Sequence, residues 1–185
     1  MGNFAIYSIG HGGRSIEELI SLLKDNEISY VIDVRTKPRS RFHPQYNKER
    51  LDNHLKAENI RYVFMGENLG GLPKDESCYD TDGHVNYEKT KQQDFFKEGI
   101  ARIKTAYEKK IRIACMCSEI DPCDCHRSKL IGEVLKDIDI PMIHIGKHGE
   151  LEDQRSVINR AISNSSSHDL FSNEKAPLRS RKPYR

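Results

Sequence analysis

The chain is predicted to be an α/β protein of three layers, Rossmann-like, with a mostly parallel five-stranded sheet and a long loop between strands three and four. Three observations predict it. Its 185 residues are the size of one ordinary domain. Short apolar, β-rich runs alternate with segments of helical periodicity along most of its length. The first strand, helix and second strand fit within about thirty residues, the span of a βαβ unit, which requires parallel pairing.

The elements follow in order. Residues 4–9 are apolar and β-rich and stop at Gly10. After Gly10-His11-Gly12-Gly13, Ser15 and Glu18 form a capping box, and Ile16, Leu19, Ile20 and Leu23 repeat along one helical face. Residues 30–34 are a second strand ending at Arg35. The next stretch is polar and irregular until Leu51 and Leu55 mark a short helix, and residues 60–64 form a third strand. Residues 66–86 carry Gly70-Gly71, Pro73 and several acids and read as a surface loop; a loop longer than about 15 residues in a compact domain is usually functional or disordered. A helix is expected over 87–109, with Phe95, Phe96, Ile100 and Ile103 inward. A fourth strand follows at 111–116, then a helix at 125–136 burying Leu130, Ile131, Val134 and Leu135. A fifth strand at 141–145 and a last helix at 152–162 complete the pattern. Residues 1–163 are thus one domain. Residues 164–185, with a serine run and the basic end Arg179-Ser180-Arg181-Lys182-Pro183-Tyr184-Arg185, read as a disordered basic tail.

Composition narrows the class. Hydrophobic residues are 36% and charged residues 31%, which suits a solvated globular surface, and no apolar run approaches the ~20 residues that cross a bilayer. The N-terminus lacks a charged-then-apolar leader, so a cytoplasmic location is expected and a membrane partner is not. The net charge of +2 is uneven: the tail carries +3 and the body −1. The cysteines are Cys78, Cys115, Cys117, Cys123 and Cys125. An odd number, mostly clustered, is a poor disulfide framework and reads as a site with buried thiols beside it.

In parallel sheets, ligands bind beyond the carboxyl ends of the strands. Three such ends carry unusual residues here. The first offers Gly10 and Gly12 as a close-approach turn before a helix N-terminus, an expected anion cradle, with His11 as acid, base or donor. The second offers Arg35, with Arg39 and Arg41 beyond it, to grip phosphate or carboxylate, while Asp33 orients Arg35. The fourth strand leads into Cys117-Ser118-Glu119, followed by Cys123 and by Cys125-His126-Arg127 at a helix start, where the dipole lowers a thiol's pKa and favours anions. Cys115 and Cys117 share a strand face, with Cys115 the deeper, an ordinary buried thiol.

Two readings of the last stretch stay open. In one, Glu119 is nucleophile or general base, Cys117 and His126 shape the pocket, and Arg127 holds a phosphate. In the other, Cys117, Cys123, Cys125 and His126 chelate zinc or iron, although Cys-x5-Cys-x-Cys-His is not a standard structural zinc spacing.

These motifs, Ile9-Gly10-His11, the run 31–35 with Pro38-Arg39-Ser40, Leu69-Gly70-Gly71, Met116-Cys117-Ser118-Glu119 and Cys125-His126-Arg127, together resemble the domain-of-unknown-function-488 family. The resemblance runs from residue 9 to about 145. It implies that His11, Asp33, Arg35, Gly70, Gly71, Cys117, Glu119, Cys125, His126 and Arg127 are motif positions, and it leaves Cys115, Cys123 and the tail outside.

The leading expectation is an enzyme, a hydrolase or transferase acting on a phosphate-bearing substrate such as a nucleotide or nucleic-acid base. Glu119, His11, Cys117 and His126 would be its catalytic set. Gly10, Gly12, Arg35, Arg39, Gly70, Gly71, Cys125 and Arg127 would bind the anion, with no cofactor. The alternatives are a non-catalytic nucleotide- or nucleic-acid-binding module and a Cys/His metal or thiol redox protein.

Overall fold

The computed structural model describes residues 4–166 and 178–184, without the side chains of 164–166. Its elements run β1 (Ile6–Gly10), α1 (Ile16–Asp25), β2 (Tyr30–Asp33), α2 (Lys48–Ala57), β3 (Arg61–Phe64), α3 (Gly66–Leu69), α4 (Tyr87–Gln92), α5 (Asp94–Glu108), β4 (Ile113–Cys117), α6 (Glu133–Asp137), β5 (Met142–Ile145), β6 (Leu151–Asp153) and α7 (Gln154–Ser166). The strands form one sheet in the order β3-β2-β4-β1-β5-β6, with β1 to β5 parallel and β6 antiparallel.

The expected α/β class holds, and the strand count is corrected from five to six. β6 lies where the last helix was expected to begin. A three-residue strand shows no period, and its one large apolar residue, Leu151, is exposed. What makes it is a hairpin from β5, closed by Gly146 N–H to Glu150 O at 2.8 Å and turned at Gly149, whose φ of 90° suits glycine. The order also departs from the dinucleotide-binding arrangement, because β4 inserts between β2 and β1.

Alternation along the strands builds two cores. On β4, Ile113, Cys115 and Cys117 face α5 and the helical segment 127–137 that ends in α6, where Phe96, Ile100, Ile103, Leu130 and Leu135 pack. Ala114 and Met116 face α1 and α2, meeting Leu19, Leu23, Leu51 and Leu55. β4 is buried at every position, as a central parallel strand must be. Its carboxyl end therefore opens between two packed layers.

Three other expectations are corrected. The helix over 87–109 is two helices, broken at Gln93, whose extended ψ of 140° ends α4 and begins α5. The long loop contains α3 and a short 3-10 turn, Glu76–Cys78. The helix over 125–136 is a 3-10 turn (Pro122–Asp124), a π-helix (Arg127–Gly132) and α6. Asp121 accepts from Cys123 N–H at 2.9 Å and so starts the 3-10 turn, a capping role invisible to apolar periodicity.

Part of the tail read as disordered, residues 167–177 and 185, lies outside the described residues. Residues 178–184 are a strap across the long loop. Arg179 pairs with Asn86, Ser180 N–H donates to Val85 O at 3.1 Å, and Tyr184 N–H donates to Gly83 O at 2.9 Å. No described helix is long and apolar enough to cross a membrane.

Candidate functional site

Beyond β4 the chain turns away from the sheet at Ser118 and Glu119 and re-enters at Cys125. This brings Cys117, Glu119, Cys125 and His126 into one cluster. Cys117 Sγ donates to Glu119 Oε2 at 2.9 Å, and Cys125 Sγ lies 3.4 Å from the same oxygen. His126 Nδ1 lies 3.9 Å from Cys117 Sγ and 3.7 Å from Cys125 Sγ. Its Nε2 lies 3.2 Å from Val34 O, and since a carbonyl only accepts, Nε2 carries the proton there.

Electrostatics separate the two thiols. Hydrogen bonding to Cys125, burial and the nearby negative charges push Cys117 well up. Burial alone would raise Cys125 too, but the hydrogen bond from Cys117 and the charges of Arg127 and His126 outweigh it and hold Cys125 well below the usual thiol range. Burial works against a charged His126, yet the charge and hydrogen bond of Cys125 raise its pKa. Arg127 is wholly buried. Its Nε–H donates to Cys125 Sγ at 3.2 Å, its backbone N–H to the same sulfur at 3.5 Å and its Nη2 to Glu119 O at 2.7 Å. Its expected role as an external anion ligand is thereby corrected: it is the counter-charge of Cys125.

The anion cradle at Gly10–Gly13 is corrected as well. His11 N–H donates to Cys117 O and Gly12 N–H to Ser118 O, both at 2.9 Å, so those donors are already used. Gly10 is needed for packing: a Cβ there would lie 1.8 Å from Glu119 O. Gly12, at φ +50°, abuts Ile120, and a Cβ on Gly70 would strike Gly66 O at 2.2 Å. A Cβ on Gly71 would sit 2.8 Å from His126 Nδ1. Close approach, as the sequence suggested, is why these are glycines, but the approaching group is the protein's own.

His11 is buried, stacked on Tyr46 with ring centroids 4.1 Å apart, and its Nδ1 lies 2.9 Å from Gly12 O. Burial and the neighbouring Arg35 lower its pKa to about 4, so it is neutral near pH 7. It braces the end of β1 and does not line the pocket described below. Arg35 is held by Asp33 through Nε at 2.9 Å and Nη2 at 2.6 Å, as expected, and donates to Tyr46 O at 2.8 Å. Burial opposes its charge, but Asp33 outweighs this and raises it. Arg39 and Arg41 are exposed. Cys123 Sγ turns toward Val157 O at 3.3 Å, away from the cluster, which removes it from the four-ligand metal reading. Cys115 is a core thiol, pushed up to about 12 by burial.

The cluster floors a pocket of about 200 Å³. Its walls include residues that sequence reasoning missed: Lys37, Tyr87, Ser180, Arg181 and Tyr184. No local signal marks Arg181 or Tyr184, because they reach the pocket only through strap pairing with Val85. Lys37 adjoined the arginine run and was readable from it.

Fold and site define a class: an α/β protein with a thiol–imidazole–carboxylate cluster at the carboxyl edge of its sheet. The chain belongs to the family described as Domain of unknown function DUF488, whose family model matches residues 15–134. That span holds Arg35, Gly71 and all four cluster residues, begins after His11 and ends before the strap. No curated protein and no solved structure matches the chain.

Proposed function

We propose that the chain is an enzyme acting on a phosphate-bearing substrate, a nucleotide or a nucleic-acid base, with Glu119 as its general base. One observation carries this reading. A half-buried carboxylate stands over two thiols and an imidazole at the floor of a pocket whose rim bears the exposed cations Lys37 and Arg181. Cations at the rim to hold an anion and a proton acceptor at the floor are the layout that positions a phosphate ester or its attached base for proton transfer. The size supports the same reading, since about 200 Å³ is below the usual range of small-molecule pockets and admits one headgroup or one ring, not a dinucleotide. Tyr184, partly exposed at the wall, offers a face for a base to stack on.

The test is turnover of a panel of nucleotides, nucleosides and short oligonucleotides, followed by mass spectrometry. Glu119→Gln should lower kcat by about 10²–10⁴-fold with the fold intact. Lys37→Ala and Arg181→Ala should raise KM by about tenfold, the scale of one charge-assisted hydrogen bond, with a smaller effect on kcat. Full activity in Glu119→Gln would sink the assignment.

A second reading rests on a separate observation. Phe42 is 86% exposed and stands between the exposed Arg41 and the half-buried His43, close to the exposed Arg39. An aromatic among exposed arginines is the composition of a single-strand nucleic-acid platform. This reading requires single-stranded oligonucleotide binding that weakens steeply with salt and falls in Phe42→Ala. Binding indifferent to both leaves the pocket as the only ligand site supported.

A further inference from the structure

The geometry points to a metal site: we infer that Cys117 Sγ, Cys125 Sγ and His126 Nδ1 bind one zinc-class divalent ion, with the fourth position open to the pocket beside Glu119. The donor atoms all lie within 4.8 Å of one another. A tetrahedral zinc, with Zn–S of about 2.3 Å and Zn–N of about 2.0–2.1 Å, sets sulfur-to-nitrogen separations of about 3.6 Å. The two found here, 3.7 and 3.9 Å, need only a small contraction.

The surroundings fit a ligand set more closely than they fit chance proximity. A metal-bound imidazole donates its other N–H to an oxygen, which fixes the tautomer, and His126 Nε2 does so to Val34 O. That turns Nδ1 toward both sulfurs, as the nitrogen left to meet a metal. Gly71 keeps clear the space beside Nδ1 that any Cβ would occupy. Arg127 places two N–H donors on Cys125 Sγ, the partners a ligating thiolate takes. Two sulfurs and one imidazole are the donors that zinc prefers, and three protein ligands with one open place are the pattern of a catalytic rather than a structural site. On binding, Cys117 Sγ and His126 Nδ1 each give up a proton to solvent, the first by way of Glu119 Oε2, and Cys125 ligates as its thiolate. Two metal–sulfur bonds and one metal–nitrogen bond replace three of the ion's bonds to water.

Metal binding does not require the enzyme reading above, and the two fail separately. The reduced full-length chain is incubated with Zn²⁺, desalted and assayed for metal, and a parallel sample is loaded with Co²⁺ for absorption spectroscopy. The expected result is one equivalent of zinc and a thiolate-to-cobalt charge-transfer band, both lost in Cys117→Ser and Cys125→Ser and both kept in Cys123→Ser. Circular dichroism identifies any variant that has lost its fold, and the wild-type cobalt spectrum stands without any variant. Wild-type protein that retains no zinc and shows no charge-transfer band overturns the inference, as does zinc retained in folded Cys125→Ser or lost in folded Cys123→Ser. Glu119→Gln should keep its zinc. If it keeps turnover as well, the general-base reading falls and the metal site stands.

Discussion

His126 is held from two sides, by the carbonyl of Val34 behind it and by the bare Cα of Gly71 in front. The two glycines nearest the cluster are therefore not equivalent. In Gly71→Ala the new methyl meets a side chain that can swing, so the cost is about 1–3 kcal/mol. The larger effect should be functional, because His126 moves off its carbonyl. In Gly10→Ala the methyl meets the backbone of Glu119 and Ile120, which cannot swing, so it should be the more destabilising of the two. Urea unfolding of both variants checks this order, and a Gly71→Ala protein with unchanged activity would show that the ring's pose does not matter. Residue identities at the cluster were legible in the sequence because Cys117, Glu119, Cys125 and His126 lie close along the chain and one turn gathers them. What each does was less legible. His11 and Arg127 have the chemistry of site residues, and only their burial, set by distant partners, makes one a brace and the other an internal counter-charge.

At the scale of elements, the strap completes the pocket and meets the α5/α6 core layer through Leu178. Ser180 exchanges two hydrogen bonds with Val85, its N–H donating to Val85 O and its Oγ accepting from Val85 N–H at 2.9 Å. Arg179 reaches Asp82 at 2.6 Å, and Arg181 lies 3.5 Å from Asp124, both pairs being solvent-exposed. With Tyr184 N–H on Gly83 O as a third hydrogen bond and Leu178 packed on the core, deleting residues 178–185 should cost about 2–5 kcal/mol, since exposed ion pairs add little. It should raise KM more than it lowers kcat, because Arg181 and Tyr184 are lost while Glu119 stays. Thermal unfolding and steady-state kinetics on the truncated chain read both quantities; a collapsed fold would make the strap structural instead. The sequence showed a polar, basic end and nothing of this pairing, which depends on Val85, 95 residues earlier. The same limit explains β6 and the π-helix. Strands and helices with a full period were readable, whereas elements made by a hairpin partner or a capping carboxylate were not.

Across the whole molecule, each core layer encloses one neutral histidine. On the α1/α2 side it is His11, facing Tyr46, His43, Arg35 and Asp33. On the α6/α7 side it is His144, whose Nδ1 accepts from Ser8 Oγ at 2.6 Å and whose Nε2 donates to Gln154 Oε1 at 2.7 Å, with Arg127, Cys125 and Glu152 the nearest charges. Burial and, for His11, the Arg35 charge lower both to about 4, against 6.5 in an open chain. The unfolded chain thus takes up these two protons as pH falls through 6.5, while the folded chain resists until about 4. Proton uptake by the unfolded state alone favours unfolding, so the stability is whole above pH 6.5 and is lost between 6.5 and 4. Each histidine accounts for a loss on the order of 3 kcal/mol by the acid end. Since the two lie on opposite faces of one sheet, the losses should add and the whole fold should loosen together. Urea unfolding at pH 7, 5.5 and 4.5 measures it. His144→Gln, which keeps a polar group between Ser8 and Gln154 but cannot take a proton in this range, should remove about half of the slope. A wild-type stability that stays level from pH 7 to 4.5 would mean that neither histidine is held neutral by burial, and that the two layers tolerate a buried charge which this packing leaves no room to solvate.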